Sequence, residues 1–336
     1  MRYRRIVIAR FGGPEVLDVV EDNLRDARPG EVRVKVLAAG VSWADYMMRQ
    51  NAYPGQPAPP FTPGYDIVGI VDQAGTGAAQ FQLGQKVAAL LIHGGYSEYV
   101  FVPEEELVPV PDELDPAEAV CLVLNYVTAY QMLHRTVQLQ TGRRLLVHSA
   151  AGGVGTALLQ LGRDIGLQMY GTASQSKHAL IEKLGARPID YKNEDFVEWI
   201  LHLTGEGVDL VCDSIGGPHW RRSYRCLSPR GTLVAYGSQA MLVNGRKSLP
   251  KTLGVFASAA LLYLRPGQRS FKFYSITSTC KRHPDWFRED LAALFQMLRD
   301  RRIQPVIGAR LPFIEARQAN QLLEQGAVQG KIVLTF

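Results

Sequence analysis

Cysteine is scarce in this sequence, with Cys121, Cys212, Cys226 and Cys280 the only four among 336 residues. None stands at Cys-x-x-Cys spacing, and a chain of this length buries enough surface to fold without disulfide staples. That excludes a disulfide-rich secreted scaffold and fits reduced thiols in the cytoplasm. Long hydrophobic runs are missing too. Val255 to Leu264 is the longest candidate, about half of a membrane span, before Arg265 and Pro266 stop it. No apolar h-region follows Arg2, Arg4 and Arg5, which reads against a secretory signal. Blocks of like charge are also absent. The formal net charge is +5, yet the densest basic cluster, Arg299-Asp300-Arg301-Arg302, is interrupted by an acid. It reads as a solvated helix end rather than a nucleic-acid patch.

What is present is the balance of a globular protein, 46% hydrophobic and 21% charged, in a chain long enough for two domains. The first third is β-like. Val32-Arg33-Val34-Lys35-Val36 alternates apolar and polar, and Ile67 to Val71, Gln85 to Leu90 and Tyr96 to Val102 read as further strands. Between them, Tyr53 to Gly64 is dense in proline and glycine and reads as a loop. From Pro116 the pattern changes. A helical run over Ala117 to Arg135 leads into strands at 144–148, 168–173, near 189, 208–213 and 231–236, alternating with helices at 154–166, 175–184, 194–203 and 218–227. This alternation predicts an α/β fold with a doubly wound parallel sheet. Phe271 to Thr277 reads as one more strand, Asp285 to Arg301 as a long helix, and Lys331 to Phe336 as a last strand. A β-rich start and a short mixed tail around such a middle predict that the chain leaves a first domain and returns to it.

The chemistry is concentrated where the first of those strands ends. Leu145-Leu146-Val147-His148-Ser149 runs into Ala150-Ala151-Gly152-Gly153-Val154-Gly155 and then a helix. Ala150-x-Gly152-x-x-Gly155 is a variant of the dinucleotide turn. Small residues let the backbone turn tightly, let a pyrophosphate approach the main chain, and leave helix-start N–H groups aimed at it. The end of the second strand selects the cofactor. NAD sites place an acid there for the ribose 2′-hydroxyl, but Met169 to Ala173 is followed by Ser174-Gln175-Ser176-Lys177 with none. A hydroxyl and a lysine suit the 2′-phosphate of NADP. Ser174 also reads as a cap for the next helix, and the two roles are compatible.

Several segments, in order, resemble the zinc-independent quinone oxidoreductases (ζ-crystallin type) of the medium-chain dehydrogenase/reductase superfamily. They are Ala38-Ala39-Gly40-Val41-Ser42-Trp43-Ala44-Asp45, Thr62-Pro63-Gly64-Tyr65-Asp66-Ile67-Val68-Gly69 and Gly94-Gly95-Tyr96-Ser97-Glu98-Tyr99. Leu124 to Tyr130, Gly171 to His178, Ile189-Asp190-Tyr191 and Asp213 to Gly217 look closest to the vesicle amine transport protein branch. The resemblance runs nearly end to end. It implies a GroES-like catalytic domain from residues 1–122 and 280–336 and a Rossmann NADP-binding domain at 123–279. It further implies that Ala151, Gly152, Gly153, Val154 and Gly155 cradle the pyrophosphate, and that Ser174, Lys177 and Tyr191 hold the 2′-phosphate. Asn125, Thr128, Tyr236 and Gly237 would contact the nicotinamide half, with Ser42 and Tyr53 beside the ring. A homodimer joined through the edge strand near 271–277 is implied as well.

The sequence departs from the family at three places: Ser42 replaces an Asn, Met47 a Tyr, and Gly326 an Arg. Zinc-dependent relatives carry Cys and Gly-His-Glu where Ser42 and Gly64-Tyr65-Asp66 stand, and His93, Cys121 and Asp66 are at no ligand spacing, so no metal is expected in this chain. Without a metal, a quinone or conjugated enone is the natural hydride acceptor, because its charge delocalises. Tyr53 has two readings, a donor to the developing oxyanion or an aromatic packed on the cleft. Asp45 reads as the cap of a helix it opens, and Asp66 as either orienting a hydrogen bond or serving a sheet edge. The function expected is thus an NADPH-dependent quinone or enone reductase. Alternatives are an enoyl-thioester reductase, with Met241 to Gln268 shaping its mouth, and a nucleotide-binding protein with little turnover.

Overall fold

The computed structural model describes residues 1–243 and 246–336; residues 244–245, within the Met241 to Gln268 segment, lie outside it. The chain divides into two compact units, Met1–Val127 with Pro284–Phe336, and Thr128–His283.

The first unit opens with β1 (Arg2–Ile8) antiparallel to β2 (Leu17–Asn23). Next come β3 (Glu31–Val41), α1 (Trp43–Arg49), β4 (Asp66–Ala74), β5 (Lys86–Leu90), β6 (Tyr99–Pro103) and β7 (Val108–Pro109). The alternation in β3 does what period 2 requires: Val32, Val34 and Val36 are buried while Lys35 is exposed. α2 (Pro116–Cys121) has Pro116 in its first turn and Asp115 as its cap, accepting from the Glu118 N–H. The uniform helix expected over Ala117 to Arg135 is instead of mixed pitch. Wide π-helical turns at 122–126 and 131–137 flank α3 (Val127–Tyr130), and left-handed Gln138 ends the run. Asn125 sits in the first widened turn, a feature common at functional sites.

The second unit contains β8 (Arg144–Val147), α4 (Gly153–Asp164), β9 (Gln168–Ala173), α5 (His178–Lys183), β10 (Ala186–Asp190), α6 (Phe196–Thr204), β11 (Val208–Asp213), α7 (Pro218–Arg225) and β12 (Leu227–Ala235). A short pair, β13 (Leu242–Val243) and β14 (Arg246–Lys247), precedes α8 (Leu249–Tyr263), β15 (Ser270–Phe273) and α9 (Ile276–Arg282). Six strands form one parallel sheet in the order β10-β9-β8-β11-β12-β15. The order reverses between β8 and β11, and in sheets of this kind such a switch point is where ligands bind, at the C-terminal strand ends. Leu146, Val211, Leu233, Trp220 and Phe271 are among the buried residues that hold helices to the sheet. Each such side chain is worth roughly 1.5–3 kcal/mol of transfer free energy.

The expected strand at 271–277 is shorter. β15 stops at Phe273, and Ser275 then caps α9 by accepting from the Ser278 N–H. A serine that can satisfy a helix start won over the β-prone run before it. The chain then returns to the first unit as α10 (Pro284–Arg299), β16 (Ile307–Pro312), α11 (Ala316–Glu324) and β17 (Lys331–Thr335). β17 pairs antiparallel with β3, completing a sheet in the order β16-β17-β3-β4-β5-β7, with β6 also on β3. Among the described residues no helix is long and apolar enough to cross a membrane.

Candidate functional site

In the second unit the glycine-rich turn leaves β8 through His148 and Ser149, the latter at a left-handed φ of 53°. Gly152 is the N-cap of α4 and contributes no side-chain cap, so the first-turn N–H groups keep the orphan character of any helix start. Gly155 is packed against the Ser149 and Ala150 carbonyl oxygens so closely that a Cβ would collide with main chain. Two further strand ends lie beside this turn. Ser214, after β11, has its Oγ 3.4 Å from Ser149 Oγ. After β12, a Cβ on Gly237 would lie 2.9 Å from the Ser214 carbonyl oxygen. Tyr236 hydrogen-bonds Ser214, and burial first, with Cys212 and Asp213 adding to it, raises its phenol pKa. Ala151 and Thr128 are buried.

The end of β9 carries no carboxylate. Ser174 Oγ lies 3.3 Å from Ser176 Oγ, and burial lowers the pKa of the half-buried Lys177 ammonium. His178, next in the chain, has a buried Nε2 with no hydrogen-bond partner. Tyr191 is exposed. The nearby carboxylate of Asp190 is closed on its own turn, accepting from Lys192 N at 3.1 Å and Asn193 Nδ2 at 2.7 Å. A main-chain cradle and an uncapped helix start fit the pyrophosphate of a dinucleotide.

In the first unit Ser42 and Asp45 form a capping box at the start of α1. Ser42, not Asp45, is the cap, while Asp45 sits at the third helical position and reaches back. Ser42 Oγ donates to Asp45 Oδ2 at 2.6 Å, and Asp45 also accepts from Ser42 N, Gly64 N and, at 3.4 Å, Tyr96 OH. Burial outweighs these donors and pushes the Asp45 carboxyl up to about 6. Tyr53 and Tyr65 share a hydroxyl–hydroxyl hydrogen bond of 2.8 Å. Burial raises the Tyr53 phenol above its usual range, with Tyr65 opposing and Asp45 assisting.

Lys331, which the sequence reading passed over, is buried with Asp66. Its Nζ donates to Asp66 Oδ1 at 3.1 Å and Oδ2 at 2.9 Å, and lies 3.5 Å from Asn125 Oδ1. Asp66 therefore serves neither a sheet edge nor a free hydrogen bond; it is the counter-ion of a buried lysine 265 residues away in the chain. Gly40 makes room for the pair, since a Cβ there would collide with the Lys331 side chain. A lysine preceding an apolar strand reads as a solvated end, so no local signal marked it.

A zinc ion does not suit the positions that hold one in zinc-dependent relatives. Ser42 is committed to Asp45 and Asp66 to Lys331, and among the described residues no three potential ligands gather around either.

Comparison with known proteins agrees with this fold. Residues 28–112 match the alcohol dehydrogenase GroES-like domain family, and residues 184–334 match the zinc-binding dehydrogenase family. A quinone oxidoreductase of Pseudomonas aeruginosa is 33% identical over 98% of this chain and 99% of its own length. The human synaptic vesicle membrane protein VAT-1 homolog is 32% identical over 98% of this chain and 86% of its own. The crystal structure of Escherichia coli quinone oxidoreductase complexed with NADPH superposes with a TM-score of 0.87 at 27% identity, covering 99% of this chain and 100% of that one. The two units, a GroES-like fold and a Rossmann-type sheet, define a medium-chain dehydrogenase/reductase. Within that superfamily the chain belongs to the quinone-oxidoreductase type, an oxidoreductase family using a nicotinamide cofactor.

Proposed function

We propose that this protein is a cytoplasmic NADPH-dependent reductase that passes hydride to a quinone or conjugated enone without a metal. The observation that carries the cofactor choice is the end of β9, where Ser174, Ser176 and Lys177 stand in place of an acid. A 2′-phosphate there gains charge-assisted hydrogen bonds from Lys177 and the hydroxyls, with His178 and Tyr191 alongside. Ala151, Gly152, Gly153, Val154 and Gly155 hold the pyrophosphate on main-chain N–H groups. Asn125, Thr128, Tyr236 and Gly237 orient the nicotinamide half. The bound dinucleotide supplies the hydride from its nicotinamide ring.

The chain's own contribution is orientation, exclusion of water and one proton donor. Tyr53, kept protonated by burial, donates to the oxyanion that develops on the acceptor, and Tyr65 fixes its hydroxyl at 2.8 Å. Ser42 is a wall of the acceptor pocket, because its hydroxyl proton is already given to Asp45. Lys331 holds Asn125 by its carbonyl oxygen and so leaves the amide N–H groups for the nicotinamide.

Titration with NADPH and NADH tests the cofactor assignment. Wild type should bind NADPH about ten- to a hundredfold more tightly, and Lys177→Ala should remove most of that preference without weakening NADH. Equal affinities in wild type would refute it. An acceptor panel containing small quinones, enones and an enoyl thioester separates the acceptor classes; turnover of the thioester alone would replace the quinone assignment.

We also propose a homodimer through β15. This strand pairs with β12 on one side and ends the sheet, and Phe273 on it is exposed, as are Leu253, Phe256 and Leu261 of the neighbouring α8. An open edge with apolar surroundings is suited to pairing with its copy. Light scattering at micromolar concentration should give twice the chain mass; a monomer would contradict this.

A further inference from the structure

We propose that the second unit carries a metal site made of His148, Asp213, His219 and Ser223, with zinc as its ion. The four residues come from three elements. His148 directly follows β8, and Asp213 is the last residue of β11. His219 and Ser223 lie four apart on α7 and so share one of its faces. Their donor atoms converge. Asp213 Oδ2 is 2.7 Å from His219 Nδ1 and 2.6 Å from Ser223 Oγ, and Ser223 Oγ is 3.0 Å from His148 Nε2 and 3.4 Å from His219 Nδ1. The two imidazole nitrogens and the carboxylate oxygen all lie within 4.8 Å of one another. Tetrahedral zinc with bonds of about 2.0 Å places its donors about 3.3 Å apart. Three of the four ligands are thus His148, Asp213 and His219, and the ion takes the place held by the Ser223 hydroxyl, which turns aside and takes the fourth position itself or leaves it to solvent.

The outer contacts are those of ligands aimed inward. His148 has its far nitrogen, Nδ1, 3.0 Å from Thr172 Oγ1 at the end of β9, which leaves Nε2 facing the cluster. Asp213 has its far oxygen, Oδ1, accepting from Ile215 N at 2.7 Å and Gly216 N at 3.3 Å, which leaves Oδ2 facing the cluster. Partners of this kind fix the tautomer and orientation of metal ligands. Charge points the same way. Asp213 is fully buried, and among the described residues the basic group in ion-pair range is His219, which is charged only if protonated. A dication supplies the counter-charge without that condition. His219 has a side chain 22% exposed, which gives an ion a way in, and it stacks on Phe196 at 5.1 Å between ring centroids.

This site is not where zinc-dependent relatives bind their metal; those positions are Ser42, Tyr65 and Asp66, in the other unit. It lies immediately behind Ser149 and Ser214, so its role is structural: it ties the ends of β8 and β11 to α7 and stiffens the floor of the nucleotide crevice.

The test uses the untagged full-length chain and zinc alone, with cobalt in parallel as a spectroscopic substitute. After desalting, elemental analysis should find one zinc per chain, and cobalt loading should give the intense visible band of a four-coordinate site. Zinc should raise Tm and a chelator should reverse the rise. His219→Ala, at the exposed side of the cluster, should lose the metal and the cobalt band. Thr172→Val, which removes only the hydroxyl behind His148, should weaken zinc binding about 10- to 100-fold. Wild type that keeps no zinc and gives no cobalt band would overturn the proposal and leave a purely hydrogen-bonded cluster. Undiminished zinc in His219→Ala would overturn it as well.

Discussion

Each unit buries a carboxylate close to a helix start, yet the two are treated oppositely. Asp45 in the first unit is pushed up to about 6, while Asp213 in the second is held down at about 2. Burial is the largest influence on both and raises both. Around Asp213 it is outweighed by the His219 hydrogen bond, the electrostatic influence of the two imidazoles, and the Ser223 hydroxyl. Around Asp45 the donors are a hydroxyl and main-chain N–H groups, and Asp66 adds a like charge. The imidazoles offset burial at Asp213, while the neutral donors around Asp45 do not. Asp66 is a third case: burial raises its carboxyl pKa, and the ammonium of Lys331, its ion-pair partner, opposes that shift without cancelling it.

The largest effect should come from breaking that ion pair. Lys331→Met leaves Asp66 buried without its cation and should cost about 3–5 kcal/mol in denaturant unfolding. The double variant Lys331→Met/Asp66→Asn should recover much of this; equal losses would mean that the charge pairing is not what matters. Asp45 gives the next effect, and its sign is opposite to that of an ion-paired acid. Its folded pKa lies above the unfolded value near 3.8, so its contribution to stability is fully present below about pH 4 and is lost as pH rises through 6. Asp45→Asn should remove a decline of about 3 kcal/mol over that window, read as the difference between the two stability–pH curves. A constant difference across the window would contradict the assignment. Tyr53→Phe should lower kcat about a hundredfold while leaving NADPH affinity unchanged. A loss of NADPH binding instead would make Tyr53 a cofactor contact. The smallest effect is on Tyr65→Phe, which keeps the ring and removes only the partner of the Tyr53 hydroxyl; it should cost kcat several-fold, on the scale of one hydrogen bond of about 1 kcal/mol.

The same contrast explains what was legible in the sequence. The parallel sheet and its cofactor turn rest on local rules: period-2 strands, small residues from Ala150 to Gly155, and a helix following at once. The proposed roles of Ser174 and Lys177 rest on the same local rule, their distance beyond the turn. The polar interior of the first unit rests on long-range pairing. Asp66 and Lys331 meet only because the last strand returns to β3, and nothing near Lys331 marks it as buried. Standing near a helix start, Asp45 reads as a cap, but Ser42 takes that position and Asp45 makes the reciprocal bond. The strand expected to reach Thr277 failed for a similar reason, since propensity alone does not reveal that Ser275 opens a helix. The apolar stretch ending at Leu264 was legible as too short for a membrane, but its exposed helical face was not.

The most direct test of the account is steady-state reduction of a small quinone by the wild-type chain, with NADPH and NADH compared as kcat/KM. The account predicts turnover with at least about tenfold preference for NADPH, set by Lys177 and the hydroxyls at the end of β9. Tight NADPH binding with no turnover of any quinone or enone, or a preference for NADH, would contradict it.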